Sequence, residues 1–188
     1  MKRLLFNTCI VVCICLADIA HTYGQKIAVK NNLVHDVFLT LNAGIEYALN
    51  THTSIDLSAN YNPWTFGNNK KWKHWSIQPE FRYWIKEPFK SHFVGGTVMA
   101  GGFNFAKMKI FDMGNYRHQG NFYGIGASYG YQWKLTEKWH MECNISIGYM
   151  RLDYDKYDCD NCGKFMGKDH KNYWGPINAG VSIIYIIQ

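Results

Sequence analysis

The chain has 188 residues, of which 20 are Lys or Arg and 14 Asp or Glu, with 16% aromatics, 17 glycines and six cysteines. Its formal net charge of +6 is too mild and too dispersed to point to nucleic acid, so no nucleic-acid partner is expected. No low-complexity linker divides the chain, and its length suits one domain of ordinary size.

Lys2 and Arg3 precede an apolar stretch at 4–17 that is too short to cross a bilayer and suits a secretory signal. Thr22, Tyr23 and Gly24 form an acceptable cleavage site, so 1–24 is read as a signal peptide and 25–188 as the mature domain. No lipobox-like sequence precedes Cys13 or Cys15, and no lipidation is expected. Cys9, Cys13 and Cys15 leave with the signal, and Cys143, Cys159 and Cys162 are too few for a disulfide framework. The mature chain keeps 18 bases against 13 acids.

From there on the chain alternates apolar and polar residues with a period of two, the mark of strands. A short first strand at 26–34 carries Lys30 and leads through a tight Val34-His35-Asp36 turn into a second at 37–49. The third, 53–63, sets Ile55, Leu57, Ala59 and Tyr61 against Ser54, Asp56, Ser58 and Asn60. The fourth, 75–85, sets Trp75, Ile77, Phe81 and Tyr83 against Ser76, Gln78, Glu80 and Arg82, with Pro79 predicting a bulge. The fifth, 92–106, is rich in glycine and keeps Phe93, Met99, Phe103 and Phe105 on the apolar face. Runs at 121–135, 139–149 and 173–187 complete eight strands. Short connections near 50–52, 86–91 and 135–138 alternate with longer ones at 64–73, 107–118 and 155–171.

The apolar face of these runs carries no charge, whereas the other carries Glu46, Asp56, Glu80, Arg82, Lys134 and Glu142. Alternation alone does not say which face points inward. Side-chain size does: the polar face is mostly Gly, Ser and Asn, which cover a soluble surface poorly but fit the interior of an eight-stranded barrel. The expected fold is therefore all-β, an eight-stranded antiparallel transmembrane β-barrel of the outer-membrane type, with both termini periplasmic and short periplasmic turns. Aromatics near the run ends, Tyr61, Trp75, Tyr83, Trp133, Trp139 and Tyr173, read as interfacial girdles, joined by Trp64 and Trp72 from the stretch 62–75. The inward charges Lys30, Glu46, Asp56, Glu80, Arg82, Lys134 and Glu142 are expected to form an ion-paired plug rather than a conducting path, with Arg82 and Lys134 paired to the four acids.

Two blocks, YNPWTFGNNKKWKHWSIQPEFRYW at 61–84 and KNYWGPINAGVSIIYII at 171–187, resemble the family known as domain of unknown function 3575, found in Bacteroides-type bacteria. The resemblance covers nearly the whole mature chain. It implies an outer-membrane barrel similar in size to the OmpA and OmpX types, and it implies no activity, because the family has none assigned. The chain closes on Gln188 where outer-membrane barrels usually close on an aromatic, and Tyr185 is expected to substitute.

The spacing of Cys159 and Cys162 in the last long connection suits a small disulfide, or half of a metal site that recruits His170 or aspartates. Asp153, Asp155, Asp158 and Asp160 lack calcium-loop spacing. His35, His74, His118 and His170 fall in predicted connections with no nucleophile motif beside them. The expectation is a bacterial outer-membrane protein with no catalytic residues, no metal and no cofactor, whose work is structural or surface interaction through 64–73, 107–118 and 155–171. Its expected partners are outer-membrane lipid and lipopolysaccharide, with the barrel-assembly machinery during biogenesis and an unidentified protein or glycan at the loops. The alternatives are a rim enzyme acting on lipid or peptide, and a soluble lipocalin-like barrel with a ligand in an apolar core.

Overall fold

The computed structural model describes residues 27–66, 70–106, 116–158 and 163–187. Strands β1 (Ile27–Asn32), β2 (Leu41–Ala48) and β3 (Thr53–Asn62) are followed by a two-residue strand β4 (Thr65–Phe66). Five longer strands then follow: β5 (Lys70–Trp84), β6 (Ser91–Ala106), β7 (Arg117–Lys134), β8 (Trp139–Tyr157) and β9 (Phe165–Ile186). Each long strand pairs antiparallel with its neighbours in the chain, β3 pairs directly with β5, and β1 pairs with β9. The eight long strands thus close into a ring, and closure removes the free edges that an open sheet would present. The ends of β1 and β9 lie together, Ala28 opposite Ile186, at the end where the short connections turn.

Period-two alternation explains how the ring is filled. Even positions of β5, β7 and β8 point inward and odd positions outward: Arg82, Ser128 and Glu142 are buried, whereas Phe81, Ile125 and Ile145 are exposed. A small ring has little internal width, so inward positions alternate large side chains with glycine. A Cβ on Gly130 would run into the Phe93 ring, and one on Gly148 would run into the Ile125 carbonyl and lie 2.5 Å from the Gly126 Cα. Gly148→Val is therefore expected to destabilise the β7–β8 pairing by at least the roughly 1–3 kcal/mol typical of overpacking. Gly96→Ala, at an outward position with open space, should leave the urea midpoint unchanged.

The interior is layered. At the end nearest the termini, Ala28, Ala48, Phe89, Ile184 and Ile186 form an apolar floor. The Trp84 and Phe93 rings lie tilted against each other in the same region, their centres 4.8 Å apart, both fully buried. Near the opposite mouth, Phe103 and Leu152 pack with Phe105, Phe122, Met150, Tyr154 and Tyr173. The polar residues lie between these two apolar layers.

Several expectations are corrected. The turn at 34–36 is a one-turn helix, α1 (Leu33–Val37), whose cap Asn32 accepts the Val34 N–H at 3.0 Å. The long connections are shorter than 64–73, 107–118 and 155–171, because β5 starts at Lys70, β6 runs to Ala106, β7 starts at Arg117, β8 runs to Tyr157 and β9 starts at Phe165. Backbone pairing continues there although both faces carry polar and aromatic residues, so the alternation that marks a strand in sequence fades before the strand ends. Pro79 causes no bulge. Ile77 pairs with Ala100 and Glu80 with Thr97, three residues apart on both strands, and the Thr97 hydroxyl donates to the Pro79 carbonyl at 3.2 Å. Two irregularities lie in β9 instead: Asn178 faces Ser146 but Pro176 faces Ile147, leaving Ile177 as an extra residue, and Gly167 faces Lys156 but Phe165 faces Tyr157, leaving Met166. In β6 the phase is inverted: Phe93, Met99, Phe103 and Phe105 point into the ring, and Val94 and Val98 are exposed.

Candidate functional site

The middle layer of the ring is a charge cluster assembled from five strands. Lys30 on β1 places Nζ 2.6 Å from Glu46 Oε2 on β2, 2.7 Å from Asp56 Oδ2 on β3 and 3.6 Å from Glu142 Oε2 on β8. Arg82 on β5 places Nε 2.8 Å from Glu80 Oε1, and Nη1 2.9 Å from Glu46 Oε2 and 2.8 Å from Glu142 Oε2. Its Nη2 also donates to Glu142 Oε1 at 3.2 Å, so that Glu142 receives the planar fork at two oxygens. The guanidinium carbon sits 4.2 Å from the centre of the Phe93 ring, a cation–π contact at the boundary with the apolar floor.

An uncharged side chain adds a hydrogen bond to each of the four acids. Ser54 donates to Glu46, Ser58 to Asp56 at 2.7 Å, Ser128 to Glu80 at 2.9 Å and Asn144 to Glu142 at 2.9 Å. All six ionic side chains are buried, which is costly unless each is paired and hydrogen-bonded as here. The open space beside the cluster amounts to about 30 Å³, bounded by Lys30, Asp56, Glu80 and Arg82 on one side and by Asn42, Asn60 and Asn144 among others. A water occupies roughly 10–15 Å³ on this measure, so the chamber has room for a water or two but not for a file of hydrated ions.

Lys134 does not join this cluster. It lies at the last residue of β7, where the inward face has already reached the ring's end, and it pairs with Glu137 in the exposed turn. Lys30 stands where Lys134 was expected, as the second cation.

The predicted girdle residues separate into two groups. Tyr61, Trp75, Tyr83, Trp133 and Trp139 are exposed on the outer face, and Trp64 is exposed between β3 and β4, outside any strand. Trp72 and Tyr173 are not. Trp72 lies at an even position of β5 and turns inward, stacked 6.3 Å from Phe38 and tilted 5.7 Å from Phe105. Tyr173 packs in the apolar layer near the mouth because the extra residue at Ile177 reverses the parity, leaving Trp174 outside. Trp64 ties two elements, its indole N–H donating to the Leu39 carbonyl at 2.6 Å.

The outward aromatics fall into two belts. Tyr83, Trp133, Trp139 and Tyr185 lie near the short turns, with Trp139 and Tyr185 in edge contact at 5.0 Å. Tyr61, Trp75, Tyr123, Tyr149 and Trp174 lie toward the mouth, with Tyr149 and Trp174 5.1 Å apart. Sequence reasoning did not assign Tyr123, Tyr149, Trp174 and Tyr185 to the girdle, although all but Trp174 share the parity of their strand's apolar run. Between the belts the outward positions of the described strands carry no Asp, Glu, Lys or Arg, and beyond the second belt come Lys73, Gln119, Arg117, Arg151 and Asp153.

The sequence matches, over residues 9–187, the family model described as a protein of unknown function, DUF3575. The chain belongs to this family. Neither a curated protein nor a solved structure matches it significantly. The DUF3575 description carries no activity, so the chain's own geometry is the guide to its function.

In this DUF3575 chain the four histidines of the predicted connections do not assemble into one centre. His35 on α1 approaches His74 on β5, His118 packs edge-on against the Tyr154 ring at 5.1 Å, and His170 lies on the outer face of β9. None of the four has a hydroxyl or thiol as hydrogen-bond partner among the described residues. Cys143 is a free, half-buried thiol on the outer face, and Cys159 and Cys162 lie outside the described residues.

At the mouth, beyond the second belt, burial followed by the nearby Lys156 lowers the pKa of His118. The ring stays neutral in the folded chain at a pH where the unfolded chain has taken up a proton, so its contribution is present above about pH 6.5 and is lost as the pH falls. The urea midpoint is expected to drop between pH 7.5 and pH 5, and to drop less in His118→Gln. An identical drop in the variant would contradict this.

Proposed function

We propose that the chain is a small outer-membrane β-barrel that spans the bilayer with its eight long strands and carries a sealed, non-conducting lumen. Its work is structural or surface interaction through the wall and connections at the mouth, with no catalytic role, and its termini lie at the periplasmic end. The observation that carries this reading is the outer collar. Outward positions between two aromatic belts are exposed and uncharged, while the charged side chains of the same strands are paired inside. On β8 the collar runs from Trp139 to Tyr149, 11 residues, which matches the roughly 9–11 that a tilted strand needs to cross hydrocarbon.

A water-facing wall of this kind would leave Leu57, Val98, Ile125, Ile147 and their neighbours as one contiguous apolar surface, far beyond the few hundred Å² usual for a soluble monomer. The soluble ligand-binding alternative needs an apolar cavity and a charged exterior, and the arrangement here is the reverse. Lipopolysaccharide and lipid are the natural partners of the belts, while Lys73, Arg117 and Arg151 above them suit the phosphates of a surface glycolipid.

Fractionation of a cell that makes the full chain tests the reading. The protein is expected in the outer-membrane fraction, resistant to urea extraction, with a gel mobility that shifts on boiling. Recovery in the soluble fraction with no shift would contradict it.

A further inference from the structure

Beyond the mouth-side belt β5, β6, β7 and β8 stay paired, and their register sets outward residues in rows. Lys73, Asn104, Gln119 and Asp155 stand opposite one another from β5 to β8. One step nearer the collar, Tyr61, Trp75, Gly102 and Asn121 stand opposite one another from β3 to β7. Together the two rows bound a hollow of about 500 Å³ on the outer wall.

The floor of this hollow is aromatic. Gly102 has no side chain, and a Cβ there would lie 2.6 Å from Trp75 Nε1, so the indole lies across the bare backbone of β6. Trp75 and Tyr61 are nevertheless 51% and 56% exposed, and their rings are open to whatever enters. The wall above them is polar and held in place. Arg117 donates from Nε to Asn104 Oδ1 at 3.0 Å and from Nη2 to Gln119 Oε1 at 2.5 Å, and Asn104 Nδ2 donates to the same Gln119 oxygen at 3.3 Å. The Gln119 Nε2 donor and the Asp155 carboxylate have no partner among the described residues. A second hollow of about 360 Å³ adjoins the first across Gln119, Asn121 and Asp155 and continues over β8 to Lys168 and His170 on β9.

These features select a ligand class. The faces of tryptophan and tyrosine rings are negative and take the C–H faces of a pyranose, while amides and a carboxylate take its hydroxyls. A phosphate inside the hollow would meet Asp155, so phosphates are left to the basic side chains around it. Two adjoining hollows have room for more than one sugar. Tyr61 and Trp75 belong to the belt as well as to the hollow, which puts the site at headgroup depth, where a sugar arrives attached to a lipid.

We propose that this hollow binds the sugar head of an outer-leaflet glycolipid, a pyranose stacked on Trp75 with its hydroxyls on Asn104, Gln119 and Asp155. The rest of the head continues into the second hollow, and the acyl chains run down the collar below Trp75. This rests on the outer-membrane reading above and gives its glycolipid partner a defined place on the wall. A bound sugar keeps the wall wet, so a small water-soluble reagent still reaches Asn121.

The test uses the mature protein folded into phosphatidylcholine vesicles that contain a small fraction of rough lipopolysaccharide or, separately, of phosphatidic acid, which is charged but has no sugar. After extraction in mild detergent, native mass spectrometry counts the lipid retained per chain, and the shift on boiling checks that each chain is folded. Lipopolysaccharide is expected to be retained, and to fall by at least about tenfold in the double variant Gln119→Ala, Asp155→Ala, the order expected for two lost hydrogen bonds. Retention of phosphatidic acid should not fall in the variant, because removing Asp155 favours a phosphate. Lipopolysaccharide retention that is unchanged or stronger in the variant, or a parallel fall for phosphatidic acid, would overturn the site and leave the membrane reading standing. Displacement by an equal concentration of the oligosaccharide released from the same lipopolysaccharide would overturn the lipid as the source of the sugar. A chain that does not enter the vesicles at all would overturn both readings.

Discussion

Arg82→Met is expected to destabilise the folded ring by about 3–5 kcal/mol, the cost of leaving buried carboxylates without their partner. The guanidinium contacts Glu46, Glu80 and Glu142 on three different strands, and Lys30 alone would then face four acids in the same layer. The size of the loss comes from the stranded carboxylates, since a well-packed apolar replacement of a whole ionic group is often neutral. Arg82→Lys should fall between the two, because an ammonium keeps the charge but cannot donate as a fork to both oxygens of Glu142. The double variant Arg82→Met, Glu142→Gln should recover part of the loss, and urea titration followed by tryptophan fluorescence gives all three values. Purely additive losses would show that Arg82 and Glu142 do not act as a pair.

The second large effect is on the outer face. Ile145→Arg places a charge at the middle of the collar on β8 and is expected to cost about 2–4 kcal/mol when the protein folds into vesicles, as for a basic residue at a bilayer midplane. Gln119→Arg, outward on β7 beyond the belt, should cost at most about 1 kcal/mol in the same vesicles. The contrast is what matters. On a wall facing water both substitutions are exposed surface changes, expected within about 0.5 kcal/mol of zero.

Much of this architecture is visible in the chain before any coordinates. The runs at 75–85, 121–135 and 139–149 alternate so cleanly that parity alone assigns Glu80, Arg82 and Glu142 to one face and Ile77, Ile125 and Ile145 to the other. Parity fails where its premise fails. In β6 glycine and apolar residues occupy both faces, and the interior takes Phe93 and Phe103 because Gly130, with no side chain, makes room for one of them; the cue in sequence was that Gly95 and Gly101 share their face. In β9 the extra residue at Ile177 reverses the positions above it as far as a second extra residue at Met166, so that Tyr173 goes in and Trp174 goes out. Only the pairing with β8 reveals this. Lys134 shows a different limit, since parity tells which way a side chain points but not how far along the ring it sits.

The stretch at 62–75 shows the same limit at the mouth. Its lysines and aromatics read as a loop because the alternation is irregular, yet Thr65 and Phe66 pair with Lys71 and Lys70 and the strand continues upward beyond the belt. There both faces are wet or aromatic, and hydrophobic periodicity has nothing to report.

The most direct test of the central claim is the reaction of single cysteines with a membrane-impermeant maleimide in native membranes, in a chain whose Cys143, Cys159 and Cys162 are replaced by serine. Ile125→Cys lies inside the collar at a position 60% exposed in the protein alone, and Asn121→Cys lies four residues further along the same face, beyond the belt. The account predicts rapid labelling at 121 and labelling at least about tenfold slower at 125 until the membrane is dissolved and the chain is unfolded, because hydrocarbon excludes the reagent. Equal rates at the two positions in the native membrane would mean that the collar faces water, and would contradict the account.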